Sequence, residues 1–247
     1  MSLLCPAVAL CVLALGCGGE AEVRTLDVYA ASSLRPAFEE LAEIFEAENP
    51  SWNVRFNFAG SQVLRMQIEE GGGADVFASA DEAQMRGLLS SREGVESERF
   101  ASNALTLAVA SQSPIRSLAD LPHANRLVIG TEASPIGAYT RRLFERADSL
   151  YGDDFQARTF AVVVSEESNA GLVRAKVELG AADAAIIYAS DTRAARFRVI
   201  PLPDALHVAA PYRVAVLHDS PPAQAFVHLL RSAAGRAILI AHAFDSP

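Results

Sequence analysis

Residues 26–45 read LDVYAASSLRPAFEELAEIF, and this segment contains one βα unit. Residues 26–30 form a short apolar run that is typical of a strand. The apolar residues that follow are spaced to lie on one face of a helix: Leu34, Phe38, Leu41 and Phe45. Asn49 precedes a proline, a position that disfavours helical backbone, so the helix is predicted to end before it.

The same alternation continues along the chain. Further strands are predicted at residues 54–58, 75–78, 105–110, 127–130, 160–164, 184–188 and 213–217. Helices are predicted through Leu64 and Ile68, after Ser134-Pro135, after Ser168-Asn169, and at the end of the chain from Phe226 to Ala233. Short apolar strands that alternate with helices form mostly parallel sheets with helices on both faces. The sequence therefore predicts an α/β fold.

The order of these units predicts two lobes, with the second inserted into the first. A chain of 247 residues is long enough for one or two domains. Two extended crossings, near Leu105 and near Val208, would join the lobes. We therefore expect lobe 1 to comprise residues 24–104 and 208–247, and lobe 2 to comprise residues 105–207, with a hinge and a cleft between them.

The first 16 residues form an apolar run of signal-peptide length, shorter than the roughly 20 residues of a membrane span. Ala14-Leu15-Gly16-Cys17 resembles the site at which lipoprotein signal peptidase cuts before a cysteine that becomes lipidated. We expect a signal peptide at 1–16, lipidation of Cys17 and a flexible tether at 17–23. An ordinary secretory signal or a buried amino-terminal helix are the alternatives.

Composition and charge exclude several classes of protein. The net charge is −9, and the basic residues are scattered, so the chain lacks the basic surface that binds nucleic acid. All three cysteines lie at or before Cys17, which leaves the body of the protein without a thiol for catalysis, a disulfide or a metal. The five histidines are not paired at metal-binding spacing. We expect no cofactor and no resident metal ion.

Four turns between a strand and a helix share one chemical character. Each places small or hydroxyl residues before a helix: Ser32-Ser33, Gly60-Ser61, Ser134-Pro135-Ile136-Gly137 and Ser168-Asn169-Ala170. Ligands of open α/β sheets bind at such turns, and the unpaired N–H groups of a helix start attract anions. Any single turn of this kind is also an ordinary helix cap. Four of them, two from each predicted lobe, favour an anion site built without formal cations.

The motifs at and after these turns resemble one known family. YAASSL at residues 29–34, FAGS at 58–61, ADVFASAD at 74–81, PIGAY at 135–139 and AIIYASD at 185–191 are similar, in order, to signatures of the periplasmic molybdate-binding proteins of ABC importers. The resemblance covers nearly the whole chain after the leader. Gln62 departs from the pattern, because a small residue is common at that position.

The resemblance implies a class II periplasmic-binding-protein fold that closes around one molybdate or tungstate dianion and passes it to a separate ABC permease. It places the ligand donors on Ser33, Ser61, Ile136, Ala170 and Tyr188, the metal atom being bound only as its oxyanion. It implies a monomeric, non-enzymatic protein in the periplasm or an equivalent extracytoplasmic space. Contact with the membrane would then be made only through the lipid at Cys17.

The chemistry of the predicted donors leaves alternatives open. A fully ionised tetrahedral dianion only accepts hydrogen bonds, whereas phosphate keeps a proton near neutral pH and needs an acceptor. A site of donors alone therefore fits molybdate and tungstate, and it also fits sulfate. Tyr188 is equally well explained as a core tyrosine. An exported serine hydrolase with Ser33 or Ser61 as nucleophile is a distant alternative, because no histidine occurs in a recognisable catalytic motif.

Overall fold

The computed structural model describes residues 23–193 and 196–246. The predicted signal peptide, the predicted lipidation residue Cys17 and the tether as far as residue 22 lie outside the described residues. None of the helices within the described ranges has the length and hydrophobicity of a membrane span.

Strands and helices alternate along most of the chain. The strands are β1 (Arg24–Ala31), β2 (Trp52–Ala59), β3 (Val76–Ser79), β4 (Ser97–Val109), β5 (Leu127–Gly130), β6 (Val163–Glu167), β7 (Ala184–Tyr188), β8 (Arg198–Ile200) and β9 (Ala209–Val216). The α-helices are α1 (Arg35–Glu48), α2 (Ser61–Glu69), α3 (Glu82–Leu89), α4 (Pro135–Tyr151), α5 (Phe155–Phe160), α6 (Ala170–Glu178), α7 (Pro221–Arg231) and α8 (Ala233–Ala241). Short 3₁₀ helices cover Ser32–Leu34, Leu118–His123, Ala189–Thr192 and Asp204–Leu206.

The strands form two sheets that share β4. The first sheet has the order β2-β1-β3-β9-β4, and the second has the order β8-β4-β7-β5-β6. In the first sheet β9 is antiparallel to its neighbours β3 and β4. In the second sheet β4 is antiparallel to its neighbours β7 and β8. The pairs β1–β2, β1–β3, β5–β6 and β5–β7 are parallel. Both sheets are therefore mostly parallel in strand direction, as the sequence predicts.

Strand β4 crosses from one sheet to the other. Through Ala104, which lies opposite Ala209, it pairs with β9. From Leu105, which lies opposite Tyr188, it pairs with β7. This change of partner supports a lobe boundary close to the predicted crossings. The predicted limits of the two lobes themselves stay a prediction.

The closing segment packs on the first sheet, as expected, but it forms two helices rather than one. Phe226 of α7 contacts the rings of Phe38 and Phe45 on α1 edge to face, with centroid distances of 5.9 and 5.6 Å. Ser232 ends α7 and caps α8 by accepting a hydrogen bond from the Gly235 N–H. A Cβ on Gly235 would lie 2.3 Å from a carbonyl oxygen of α7, so glycine is required for this tight turn.

The predicted strand at residues 160–164 is wrong in its first half. Phe155–Phe160 forms helix α5, and the strand begins only at Val163. Phe155 and Phe160 both pack edge to face on Phe144 of α4, at 6.3 and 5.6 Å. Tertiary packing of the aromatic rings therefore overrides the local apolar run that suggested a strand.

Other elements also differ from the prediction, and strand β8 is among those not predicted. Strand β4 begins at Ser97, earlier than the predicted start at residue 105. Helix α3 was not predicted at all, although Asp81 caps it by accepting from the Gln84 N–H at 2.7 Å. A helix of eight residues gives only a weak periodic signal, and this one is held by two buried side chains, Met85 and Leu88.

Candidate functional site

A small cavity lies between the two lobes, where strand ends of both sheets meet helix starts. Its volume is about 10 Å³, the room that one water-sized group needs. The five predicted site residues all line it: Ser33, Ser61, Ile136, Ala170 and Tyr188. The structure thus brings together five residues that are separated by up to 155 positions in the sequence, which is 188 minus 33.

The first lobe contributes two buried hydroxyl groups. Ser33 lies in the 3₁₀ turn between β1 and α1, and its Oγ is 2.7 Å from the hydroxyl of Tyr212. Ser61 is the first residue of α2, and its Oγ accepts a hydrogen bond from the Ala80 N–H at 3.0 Å. Both serines are thereby held in fixed positions with their oxygens already engaged.

Helix α4 presents a backbone donor from the second lobe. Pro135 has no N–H, and the Gly137 N–H donates to the capping Oγ of Ser134 at 3.2 Å. The N–H of Ile136 is therefore the first one of this helix that can serve a ligand. Residue 137 must be glycine for the helix start to pack this closely on the preceding turn, because a Cβ there would lie 2.0 Å from the Thr131 carbonyl oxygen.

Helix α6 presents a second donor in the same way. Asn169 caps the helix by accepting from the Leu172 N–H at 3.0 Å, so its side-chain oxygen is occupied. The Gly171 N–H donates to Oγ of Ser32 in the opposite lobe at 3.3 Å. The N–H of Ala170, the first of the helix, has no intrahelical acceptor, and Ala170 lines the cavity.

Tyr188 is the last residue of strand β7, and only 1% of its surface is exposed. Its hydroxyl has no hydrogen-bond partner among the described residues. Burial raises the pKa of this phenol well above its ordinary value, so it stays a protonated donor near neutral pH. Buried core tyrosines normally have a partner for the hydroxyl, and the unpartnered hydroxyl beside a cavity therefore favours the ligand-binding explanation of Tyr188.

The cavity has the electrostatics of an anion site without formal charge. Among the described residues that line it, none is Lys, Arg, His, Asp or Glu. Serine hydroxyls, one phenol and the starts of α4 and α6 line one cavity, and helix starts carry about half a positive charge each. Buried hydroxyl and N–H donors in this number fit an acceptor-only ligand.

Side chains at the rim join the lobes. The amide Nε2 of Gln62 donates to the Ser168 carbonyl oxygen at 2.7 Å, and Gln84 makes a longer contact, 3.4 Å, with the Ala133 carbonyl oxygen. Gly60 packs closely against the same Ser168 carbonyl oxygen, because a Cβ at residue 60 would be only 2.3 Å from it. The sequence marked Gln62 only as a departure from a family pattern, and it carried no signal that Gly60 touches the other lobe.

A buried carboxyl group lies three residues beyond Tyr188. Asp191 is 6% exposed, and its Oδ2 has no hydrogen-bond partner among the described residues. Burial raises the pKa of Asp191 to about 7, and the nearby Arg174 acts in the opposite direction. The folded protein therefore holds a proton that the unfolded chain releases at lower pH. This contribution to stability is complete below about pH 4 and is lost as the pH rises towards 7.

Asp191→Asn is expected to remove this pH dependence. In the parent protein the free energy of unfolding should fall by about 1 kcal/mol per pH unit between about pH 5 and 7 from this group, and in the variant that contribution should be absent. Urea unfolding at several pH values measures both slopes. Asp183→Asn, at an exposed pair with Arg126, is the control and should keep the parental slope. Equal slopes in parent and Asp191→Asn would contradict the prediction.

The fold and this cavity together define a two-lobed binding protein that encloses a small ligand between its lobes. A sequence profile of bacterial extracellular solute-binding proteins matches residues 26–245. The chain belongs to this family.

Two molybdate-binding proteins and one sulfate-binding protein are similar to this chain. A molybdate-binding protein ModA of Mycobacterium tuberculosis is 39% identical over 237 residues, which cover 91% of this chain and 85% of the relative. The structure of the periplasmic molybdate-binding protein of Azotobacter vinelandii superimposes with a TM-score of 0.76 over 90% of this chain and 99% of that one, at 19% identity. The sulfate-binding protein SubI of M. tuberculosis gives 0.75 over 90% and 87%, at 15% identity. The structural matches confirm the predicted periplasmic-binding-protein fold.

Proposed function

We propose that this protein is the extracytoplasmic receptor of an ABC importer, that it captures molybdate or tungstate, and that it delivers the anion to a separate permease. The observation that carries the proposal is the cavity without charged side chains, lined by hydroxyl and N–H donors that include the unpartnered hydroxyl of Tyr188. The molybdate-binding relative from M. tuberculosis, at 39% identity over most of both chains, supports the choice of ligand.

In this proposal the ligand is shared between the lobes. Ser33 and Ser61 donate from the first lobe, while the Ile136 and Ala170 N–H groups and the Tyr188 hydroxyl donate from the second. The anion then bridges two surfaces that otherwise contact each other through rim groups such as Gln62. Binding energy is thus used to hold the lobes closed, and the permease would release the ligand by separating them.

We further propose that the protein performs no catalysis. Oγ of Ser33 lies against the Tyr212 hydroxyl and Oγ of Ser61 accepts from a backbone N–H, so the described structure places no base beside either serine. Nucleophilic attack by serine needs such a base. The described residues also contain no cluster of three or more His, Cys, Asp or Glu side chains that could hold a metal ion.

The remaining features of the proposal concern the whole chain. We propose a monomer with lobe 1 at 24–104 and 208–247 and lobe 2 at 105–207, anchored through a lipid on Cys17 and otherwise free of the membrane. The change of partner along β4 supports the lobe limits. The Ala14-Leu15-Gly16-Cys17 sequence supports the anchor.

Sulfate is the second candidate ligand. The lining of hydroxyl and N–H donors favours it, and the sulfate-binding protein SubI shares the fold. Sulfate and molybdate have the same charge and shape and differ in size, because metal–oxygen bonds are longer than sulfur–oxygen bonds. Phosphate fits less well, because the described lining holds no carboxylate to accept its proton.

Calorimetric titration with molybdate, tungstate, sulfate and phosphate tests the proposal. We expect tight binding of the first two, weaker binding of sulfate and the weakest binding of phosphate. Molybdate at about 100 times its Kd should stabilise the protein by about 2.7 kcal/mol and raise Tm by about 5–10 °C. Displacement of molybdate by an equal concentration of sulfate would favour the second candidate. Absence of binding by both molybdate and tungstate would overturn the proposal.

A further inference from the structure

Behind the cavity, Ser33 is the end of a chain of four buried polar side chains. Its Oγ lies 2.7 Å from the Tyr212 hydroxyl. The amide Nδ2 of Asn103 lies 3.4 Å from the same hydroxyl and 2.8 Å from Oγ of Ser190. All four residues are at least 90% buried. The chain runs through β4 and β9, the strands that pair across the first sheet beside the crossing point.

Asn103 fixes which groups donate and which accept along this chain of buried side chains. Its Oδ1 accepts from the Ala104 N–H at 2.9 Å, and because a backbone N–H can only donate, the atom facing it must be the amide oxygen. The amide nitrogen therefore faces Tyr212 and Ser190, and it can only donate to them. The oxygen of Tyr212 accepts from Asn103, which leaves the phenol proton of Tyr212 for Ser33.

The direction of these hydrogen bonds also determines what Ser33 can offer to a ligand. The Tyr212 hydroxyl stays protonated near neutral pH, because burial raises its pKa well above the ordinary value. When Oγ of Ser33 accepts this proton, the serine's own proton remains for the cavity. Ser61 is arranged in the same way, since its Oγ accepts from the Ala80 N–H. Each serine is thus fixed as a donor to the cavity, and one lone pair of its oxygen is already occupied by a hydrogen bond from the protein.

We propose that Tyr212 and Asn103 are positioning residues that make Ser33 an obligatory donor to the bound anion and thereby exclude ligands that carry a proton. This inference rests on the proposed oxyanion-binding function. Neither residue lines the cavity, so each acts through Ser33 rather than by touching the ligand.

Tyr212→Phe tests the inference, with the affinities for molybdate and for phosphate as readouts. Phosphate carries one proton at pH 7, and it is measured by competition against molybdate. We expect molybdate affinity to fall about tenfold, because Ser33 loses the donor that orients it. Phosphate affinity should rise, because the freed Oγ of Ser33 can accept the phosphate proton. The ratio of the two affinities should therefore fall by more than tenfold.

Two further variants complete the test. Asn103→Ala leaves the Tyr212–Ser33 contact but removes its fixed direction, so the same ratio should fall by a smaller factor. Tyr139→Phe removes another buried phenol of the cleft that takes no part in the chain, and it should leave the ratio unchanged. Melting of the unliganded proteins shows that each variant is folded. If Tyr212→Phe does not fold, Asn103→Ala provides the same readout.

The outcomes separate this inference from the proposed function. A loss of molybdate affinity in Tyr212→Phe with an unchanged ratio would show a merely structural role and would overturn the inference, as would unchanged affinities for both anions. Failure of the parent protein to bind molybdate would instead overturn the proposed function.

Discussion

Gly60→Ala is expected to weaken molybdate binding about 100-fold while leaving the unliganded protein at least as stable as the parent. The added methyl group would lie 2.3 Å from the Ser168 carbonyl oxygen, which belongs to the opposite lobe. Backbone oxygens in packed turns cannot retreat cheaply, so the lobes would have to stay apart. In the separated state the contact is absent. The backbone angles of Gly60, φ −67° and ψ 139°, suit alanine without strain.

Titration calorimetry and thermal melting of the unliganded protein together measure this prediction. Gly171→Ala is the matched control, because it also lies at the cleft. A Cβ there would approach no atom closer than 3.3 Å, and its position in α6 favours alanine. We expect the control to bind within a few-fold of the parent. Parental affinity in Gly60→Ala would show that ligand binding does not require this contact between the lobes.

Tyr188→Phe is expected to change binding and stability in opposite directions. The substitution removes one hydroxyl that is buried and has no partner among the described residues. Loss of a bond to a charged ligand should weaken molybdate binding by about 1.5–3 kcal/mol, which is roughly 10-fold to 150-fold. Loss of an unpartnered buried hydroxyl should stabilise the unliganded protein by about 1 kcal/mol.

Opposite signs make the Tyr188 result hard to produce by general disruption of the fold. A destabilising repacking would lower affinity and Tm together. Tyr151→Phe, at the end of α4 where the ring packs on Phe155 at 5.1 Å, is the control and should leave affinity unchanged. Unchanged molybdate binding in Tyr188→Phe would show that Tyr188 is a core tyrosine and not a ligand donor.

The two substitutions also test different parts of the proposed mechanism. Gly60 lines the cavity but is not a proposed donor to the ligand, so its effect is expected to come mainly from lobe closure. Tyr188 is proposed to touch the ligand, so its effect measures one donor in the closed state. Because both residues line one cavity and the Tyr188 contact requires the closure that Gly60→Ala opposes, their free energies are not expected to add in the double variant.

Local pattern was a reliable guide where a short segment decides its own structure. The predicted strands at 127–130 and 184–188 match β5 and β7. Gly71 and Gly180, which follow the ends of α2 and α6, both adopt left-handed backbone, with φ of 98° and 70°. Such features depend on periodicity, capping and glycine freedom, which are properties of neighbouring residues.

Pattern was a poor guide where distant packing decides. Residues 155–160 form a helix because their rings reach Phe144, and the closing segment breaks in two at Ser232 because Gly235 allows α8 to start against the end of α7. Neither contact can be read from a window of adjacent residues. The same limit applied to Gly60, which looks like an ordinary helix cap until its contact with Ser168 is seen.

The sequence by itself determined the α/β succession and the helix starts that supply N–H donors. Its resemblance to a known family implied the five residues that line one cavity. Only the tertiary structure decided which atoms of those residues are free. Ser33 meets Tyr212 across 179 positions, Ser61 meets the Ala80 N–H, and the Tyr188 hydroxyl meets no described partner. The physical reason is that local backbone preference places a side chain on an element, whereas the direction of its proton depends on whichever group packing brings within 3 Å.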